Sequence, residues 1–248
     1  IVSGSGDRTL RVWNRETGAQ IVQLALGAPR CRSVRFRPGE RELAAACEDG
    51  RIYIFDAQTW APLRTLQGLK GEIYQIVYSP DGQTIFAGGM DRSVRVLDAN
   101  SGELVGEFGP FTQTVTDLAM SKDGSLLYSP GNGPRVTVWD VRTRTQLFEL
   151  PCAGEVWAVE LNRGEDRLAV GTNEGVVELW DLGTRSRIGM AVGHSQLAAG
   201  LAFSPDGTMI ATGGDDGALK LWEVPAMTLL ASIPVRRGEV PFVAFDPQ

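Results

Sequence analysis

Six times this chain ends a strand-like run with an apolar residue followed by an acidic or amide residue, at almost constant spacing. The copies are Val12-Trp13-Asn14, Ile54-Phe55-Asp56, Val96-Leu97-Asp98, Val138-Trp139-Asp140, Leu179-Trp180-Asp181 and Leu221-Trp222-Glu223. Their central residues are separated by 42, 42, 42, 41 and 42 positions. A register kept over five intervals is architecture, because a unit of this length cannot bury its apolar face alone and must stack on its neighbours. The 248 residues are therefore read as one repeat array, a single all-β domain over 1–248.

The stretch Gly193 to Ser232 shows the grammar of one copy. Leu201-Ala202-Phe203-Ser204 alternates as a short strand. Ser204-Pro205-Asp206-Gly207 then turns the chain: Pro fixes φ, Asp bonds nearby backbone and Gly accepts positive φ. Met209–Thr212 forms a second strand, and Asp215-Asp216-Gly217 turns into a third at Ala218–Trp222. Beyond the Val224-Pro225-Ala226 loop, Met227–Ser232 supplies a fourth. Four short antiparallel strands per repeat is the pattern of a propeller blade. Inner strands are expected at Cys31–Arg37, Ile73–Ser79, Val115–Ser121, Val156–Asn162, Ala198–Ser204 and Val240–Asp246, with an irregular copy around Gly131-Asn132-Gly133-Pro134.

With these copies in view, the chain resembles the WD-repeat β-propeller family along its whole length. The resemblance implies six visible four-stranded blades. It also implies a structural hydrogen-bonded chain of Asp, His, Ser or Thr, and Trp within a blade. Only the sixth copy carries all four residue types, as Asp216, His194, Thr212 and Trp222. The Asp position is kept at Asp7, Asp49 and Asp91 and becomes Glu174 and Gly133, while Gly-His opens no other copy. The first copy lacks its inner strand, which Val240–Asp246 would provide by pairing with the strand starting at Ile1. Family members often close in this way, but seven blades is their usual number, so the native count stays open. The chain starts inside a repeat without Met and looks like part of a longer polypeptide. In bacterial members of the family such modules are often attached to kinase, protease or nucleotide-switch domains.

A net charge of −6 gives no general attraction to nucleic acid or anionic lipid, and no apolar run reaches the ~18 residues of a membrane helix. Cys31, Cys47 and Cys152 form no C-x-x-C pair and read as small buried hydrophobes of a reducing, cytoplasmic protein. His194 is the only histidine, which leaves neither zinc-ligand spacing nor a base beside a nucleophile. Gly-rich stretches such as Ser3-Gly4-Ser5-Gly6 precede strands, whereas a phosphate loop needs a following helix. No cofactor and no enzyme activity are implied.

What remains is interaction. In the family, partners usually meet the loops before each inner strand. Here those positions hold Arg30, Arg32, Lys70, Tyr74, Phe111, Glu155, Trp157, Arg236 and Arg237. Arg, Tyr and Trp are the types that dominate binding hot spots. Tyr74 and Trp157 can equally pack between blades. Trp60, in an outer loop, is a second contact candidate. The expected function is a non-catalytic protein-interaction scaffold or regulatory module, binding a protein, a peptide or another domain of its own chain. The alternative is a ligand-binding or catalytic propeller using Asp117, Glu160 and Arg35 in a central channel.

Overall fold

The computed structural model describes residues 1–5, 7–26, 30–235 and 238–246. Its chain divides into two compact units, Ile1–Thr116 and Asp117–Gln248. In the first unit, one sheet holds β1 (Val2–Gly4), β2 (Thr9–Trp13) and β3 (Gln20–Ala25). The next two are meanders of four: β4 (Cys31–Phe36), β5 (Glu42–Cys47), β6 (Arg51–Asp56) and β7 (Pro62–Gln67), then β8 (Ile73–Tyr78), β9 (Thr84–Gly89), β10 (Val94–Asp98) and β11 (Leu104–Phe108).

The second unit has three meanders of four. They are β12 (Ala119–Met120), β13 (Leu126–Ser129), β14 (Arg135–Asp140) and β15 (Thr145–Pro151); β16 (Val156–Leu161), β17 (Arg167–Thr172), β18 (Val176–Asp181) and β19 (Ser186–Val192); and β20 (Ala198–Phe203), β21 (Met209–Gly214), β22 (Ala218–Glu223) and β23 (Thr228–Pro234). The architecture is all-β, built of WD-type propeller blades.

Burial explains the sequence pattern. The second strands, such as Glu42–Cys47 and Arg167–Thr172, are buried at every position after the first, so they read as continuous small or apolar runs. Outer strands are mostly exposed or half-buried: Gln20–Ala25 has no buried residue, while Pro62–Gln67, Leu104–Phe108 and Thr145–Pro151 each bury one, at Leu66, Phe108 and Leu150. In all six sheets the pairing of the last two strands slips by one residue at the same place, immediately before Trp13, Phe55, Leu97, Trp139, Trp180 and Trp222. A bulge bends the strand and re-aims the side chain that follows it. Trp180 enters a core with Tyr128, Val138 and Val170, and Trp222 one with Val177, Leu179 and Phe203. Gly193 is required beside Trp222, since a Cβ there would lie 2.5 Å from the indole ring.

The Asp after the Trp position has its own task. Asp56, Asp98, Asp140 and Asp181 each accept the backbone N–H and the hydroxyl of the Thr or Ser three residues on. These bonds hold all four carboxyls below the usual carboxylate range.

Several expectations need correction. The fourth inner strand is only Ala119–Met120, because Val115 N–H already bonds Gly89 O and Asp117 caps the N–H of Leu118. The first sheet has three strands, and Val240–Asp246 carries no strand ladder among the described residues. Val240 N–H instead donates to Gly214 O, as Val115 does to Gly89. Cys31 and Cys47 stand opposite each other across β4 and β5 and are joined in a disulfide, so Cys152 alone is a free thiol. The matched positions of Trp13, Trp139, Trp180 and Trp222 predict burial for all four, and Trp13 alone of them is only half-buried.

Candidate functional site

In the first unit, the starts of β4 and β8 bring Arg32 and Tyr74 together: the guanidinium carbon lies 4.5 Å from the Tyr74 ring centroid. Two carboxylates fix the arginine, Glu72 at 3.3 Å and Glu48 at 3.7 Å. Arg32 Nε is buried without a hydrogen-bond partner, while the side chain as a whole stays 38% exposed. Burial raises the Tyr74 hydroxyl above its ordinary pKa against the pull of Arg32, so it is a neutral donor near pH 7. Arg30, Lys70 and Met90 are exposed. The arrangement is an oriented cation–aromatic pair with an acidic surround, suited to recognising a polar or aromatic group. Glu48 gave no signal in the sequence beyond a turn carboxylate. Its role follows from the β4–β5 pairing that sets Cys31 opposite the neighbouring Cys47.

The other sequence-selected positions are dispersed. Phe111 is a core residue at 4% exposure, because its N–H bonds Arg92 O and draws the ring inward, so it offers no contact surface. In the second unit Trp157 is half-buried near the start of β16, and Glu155 just before it is exposed. Arg236 and Arg237 lie outside the described residues. Trp60 is partly buried against the Leu43 and Phe55 cluster.

The sixth blade holds a continuous polar chain. Asp216 Oδ1 lies 2.9 Å from His194 Nδ1, His194 Nε2 lies 2.7 Å from Thr212 Oγ1, and Trp222 Nε1 donates to that hydroxyl at 2.9 Å. Burial works to raise the Asp216 pKa, yet bonds from His194 and from the Ser195 N–H leave it lowered. His194 is 3% exposed and both ring nitrogens are engaged, so it has no reach to a substrate. Trp13 and Trp139 bond Ser3 and Ser129 in the same way, without a histidine. Asp117 of the channel alternative accepts the backbone N–H of Val159 at 2.8 Å, which ties the segment before β12 to β16. Burial also pushes the Cys152 thiol well up, which keeps it protonated. Among the described residues no group of His, Cys, Asp or Glu could hold a metal ion.

Repeated four-stranded meanders with this Asp–His–Thr–Trp chain define a WD-repeat protein of the β-propeller class. The family model described as "WD domain, G-beta repeat" matches residues 60–98 and 186–223. The chain is 26% identical over 230 residues to "Actin-interacting protein 1" of Drosophila melanogaster, covering 90% of this chain and 38% of that protein. It is 24% identical over 267 residues to "Nuclear distribution protein PAC1" of Arthroderma otae, covering 90% of this chain and 56% of the other. With "Protein FIZZY-RELATED 1" of Arabidopsis thaliana it shares 26% over 241 residues, covering 90% and 48%. It therefore spans between 38% and 56% of the length of these relatives. The chain is a WD-repeat protein.

Proposed function

We propose that this chain is a non-catalytic interaction module that receives a protein, a peptide or another domain of its own longer polypeptide where the inner strands begin. The observation that carries this reading is the Arg32–Tyr74 pair: both are hot-spot residue types, held in fixed geometry and only part-covered. Trp157 holds the same repeat position in the second unit. The reading treats residues 1–248 as one β-propeller domain. The names of relatives such as "Actin-interacting protein 1" point the same way. A net charge of −6 favours a protein partner over nucleic acid or an anionic membrane.

No catalytic role is assigned, because the single histidine is committed inside a blade and Asp117 of the channel alternative is committed to backbone. A cytoplasmic location, expected from the sequence, carries a chemical consequence: Cys31 and Cys47 would be held there as thiols. Alkylation of the protein at the moment of lysis reads this directly.

The test is cross-linking of the full-length protein with partners co-purified from its source, repeated with Arg32→Ala, Tyr74→Ala and Trp157→Ala. Loss of the cross-links with an unchanged melting temperature supports the reading. Cross-links confined to the surroundings of Trp60 and Arg142 overturn it.

A further inference from the structure

At the other end of the inner strands, turns of neighbouring blades face each other, and two of these places differ in their contents. The turn Arg37–Glu42 faces the turn Ser79–Thr84 in the first unit, and Asn162–Arg167 faces Ser204–Met209 in the second. Arg37 and Asn162 are equivalent, 125 residues apart like Phe55 and Trp180.

In the first unit the space is filled. Arg37 is 5% exposed and crosses to the next turn, where its Nε donates to Gly82 O at 2.7 Å. Its Nη1 donates to Glu42 and to Asn100 at 3.0 and 2.9 Å. A Cβ on Gly82 would meet Pro38 O at 2.7 Å and Arg37 Cγ at 3.3 Å. Glu42 is gripped a second time by Arg64, with two bonds of 2.7 Å.

In the second unit the long side chain is missing. Asn162 turns back to Asp166, donating at 2.6 Å. A Cβ on Gly207, the counterpart of Gly82, would find its nearest neighbour at 3.9 Å, the Asn162 amide. The result is an open cleft of about 400 Å³ between the two turns.

Its charges are also rearranged. Arg167 stands at the position of Glu42, so a cation replaces the carboxylate that two arginines hold in the first unit. Its one ion pair among the described residues, to Asp166, is 4.0 Å long, and Asp166 is 64% exposed. Arg163 also lines the cleft, and its guanidinium has no hydrogen bond or ion pair among the described residues. Asp206 does not answer these cations. Its Oδ1 takes Ser204 Oγ at 2.6 Å, Thr208 N at 3.0 Å and Thr208 Oγ1 at 2.9 Å, which turns that oxygen toward its own turn, and no ion pair joins Asp206 to either arginine among the described residues.

We propose that the cleft between the 162–167 and 204–208 turns is a docking site for a carboxylate, gripped by Arg163 and Arg167. A planar guanidinium takes a carboxylate with two parallel hydrogen bonds, the geometry that Arg64 makes with Glu42 inside this same chain. The carboxylate belongs to an acidic side chain of a polypeptide or to a free dicarboxylic acid. This site lies at the opposite end of β16 from Trp157, roughly 20 Å along a six-residue strand, and does not depend on the partner surface proposed above.

The experiment follows the arginine Nε–Hε resonances of the protein while glutarate, a blocked tri-glutamate peptide or methylguanidinium is added. Saturable shifts of Arg163 and Arg167 with glutarate or the peptide are expected. They should weaken about tenfold in Arg163→Ala and Arg167→Ala, as for loss of a charge-assisted bond, and in Asn162→Arg, which closes the cleft as Arg37 does. Tighter binding of the peptide assigns the carboxylate to a polypeptide, and equal binding assigns it to a free acid. Both support the site. Saturation by methylguanidinium instead, no saturable shift with either acid, or binding unchanged in both alanine variants overturns it. Arg163 and Arg167 line an open turn, so melting curves of the variants verify that the fold is kept.

Discussion

Trp180 donates its indole N–H to Glu178, two residues back on its own strand, at 2.8 Å. In three other blades the indole bonds a hydroxyl ten residues back, at Ser3, Ser129 or Thr212. The fifth blade has Val170 there, and Glu178 takes over. Although 0% exposed, Glu178 also accepts Arg187 Nη1 at 2.9 Å and Ala153 N at 2.7 Å. One buried carboxylate thus binds the second strand pair of the blade to the loop before β16.

Removing that carboxylate strands three donors. Glu178→Ala should lower unfolding stability by about 3–5 kcal/mol, the range for breaking a buried ion pair. Trp180→Phe, which loses that hydrogen bond and the second ring of the indole but leaves the carboxylate its other two donors, should lose about 1–3 kcal/mol. Urea denaturation measures both, and equal effects would show that packing, not the carboxylate, holds the blade.

The tryptophans should not be equivalent. Trp139, Trp180 and Trp222 are at most 8% exposed, so replacement by Ala should cost about 3–5 kcal/mol each. Trp13→Ala should cost clearly less, since Trp13 is half-buried on a sheet of three strands. Thermal melts of the four variants give the order.

His194→Ala leaves Thr212 and Asp216 without their shared partner. A loss of roughly 1–3 kcal/mol is expected, with partner capture through Arg32 and Tyr74 unchanged. A melting curve identical to that of the parent protein would remove His194 from any structural role.

Acid should destabilise the fold through its turn aspartates. Asp56, Asp98, Asp140, Asp181, Asp206 and Asp216 all have lowered pKa values, and Asp123 reaches about 2, chiefly through the Ser121 hydroxyl. A carboxyl held lower in the folded state contributes stability above its unfolded pKa of about 4, which is lost as pH falls toward the folded value. Asp215 acts in the opposite sense, since burial raises it. The melting temperature should therefore change little from pH 7 to about 5 and fall between about 4 and 2. A melting temperature that rises over that lower interval would contradict the assignment.

Glu42 stands between Arg37 and Arg64, and Arg37 is 5% exposed. Glu42→Ala should cost about 3–5 kcal/mol by leaving a buried guanidinium unpaired. Combining it with Arg37→Met should recover part of the loss, measured as a double-mutant cycle.

The repeat and the strand grammar were legible in the sequence because they are local: side-chain period, turn residues and a spacing of 42 or 41 positions. Counting matches equivalent positions, and the resemblance to the WD-repeat family is what groups Asp216, His194, Thr212 and Trp222. What counting could not reach depends on partners distant along the chain. Val240–Asp246 alternates like a strand yet carries no ladder, because a strand exists only where another supplies its hydrogen bonds. Cys31 and Cys47 show no motif, and only the register of β4 against β5 sets them face to face. Phe111 looked like a loop contact until the backbone bond to Arg92 turned it inward. Glu178 looked like any strand glutamate, and its burial among three donors is decided by the loop at Ala153 and by Arg187 on the next strand. The difference between Arg37 and Asn162 was visible as two letters, but that one fills a space and the other leaves it open is a property of the turns packed across from them.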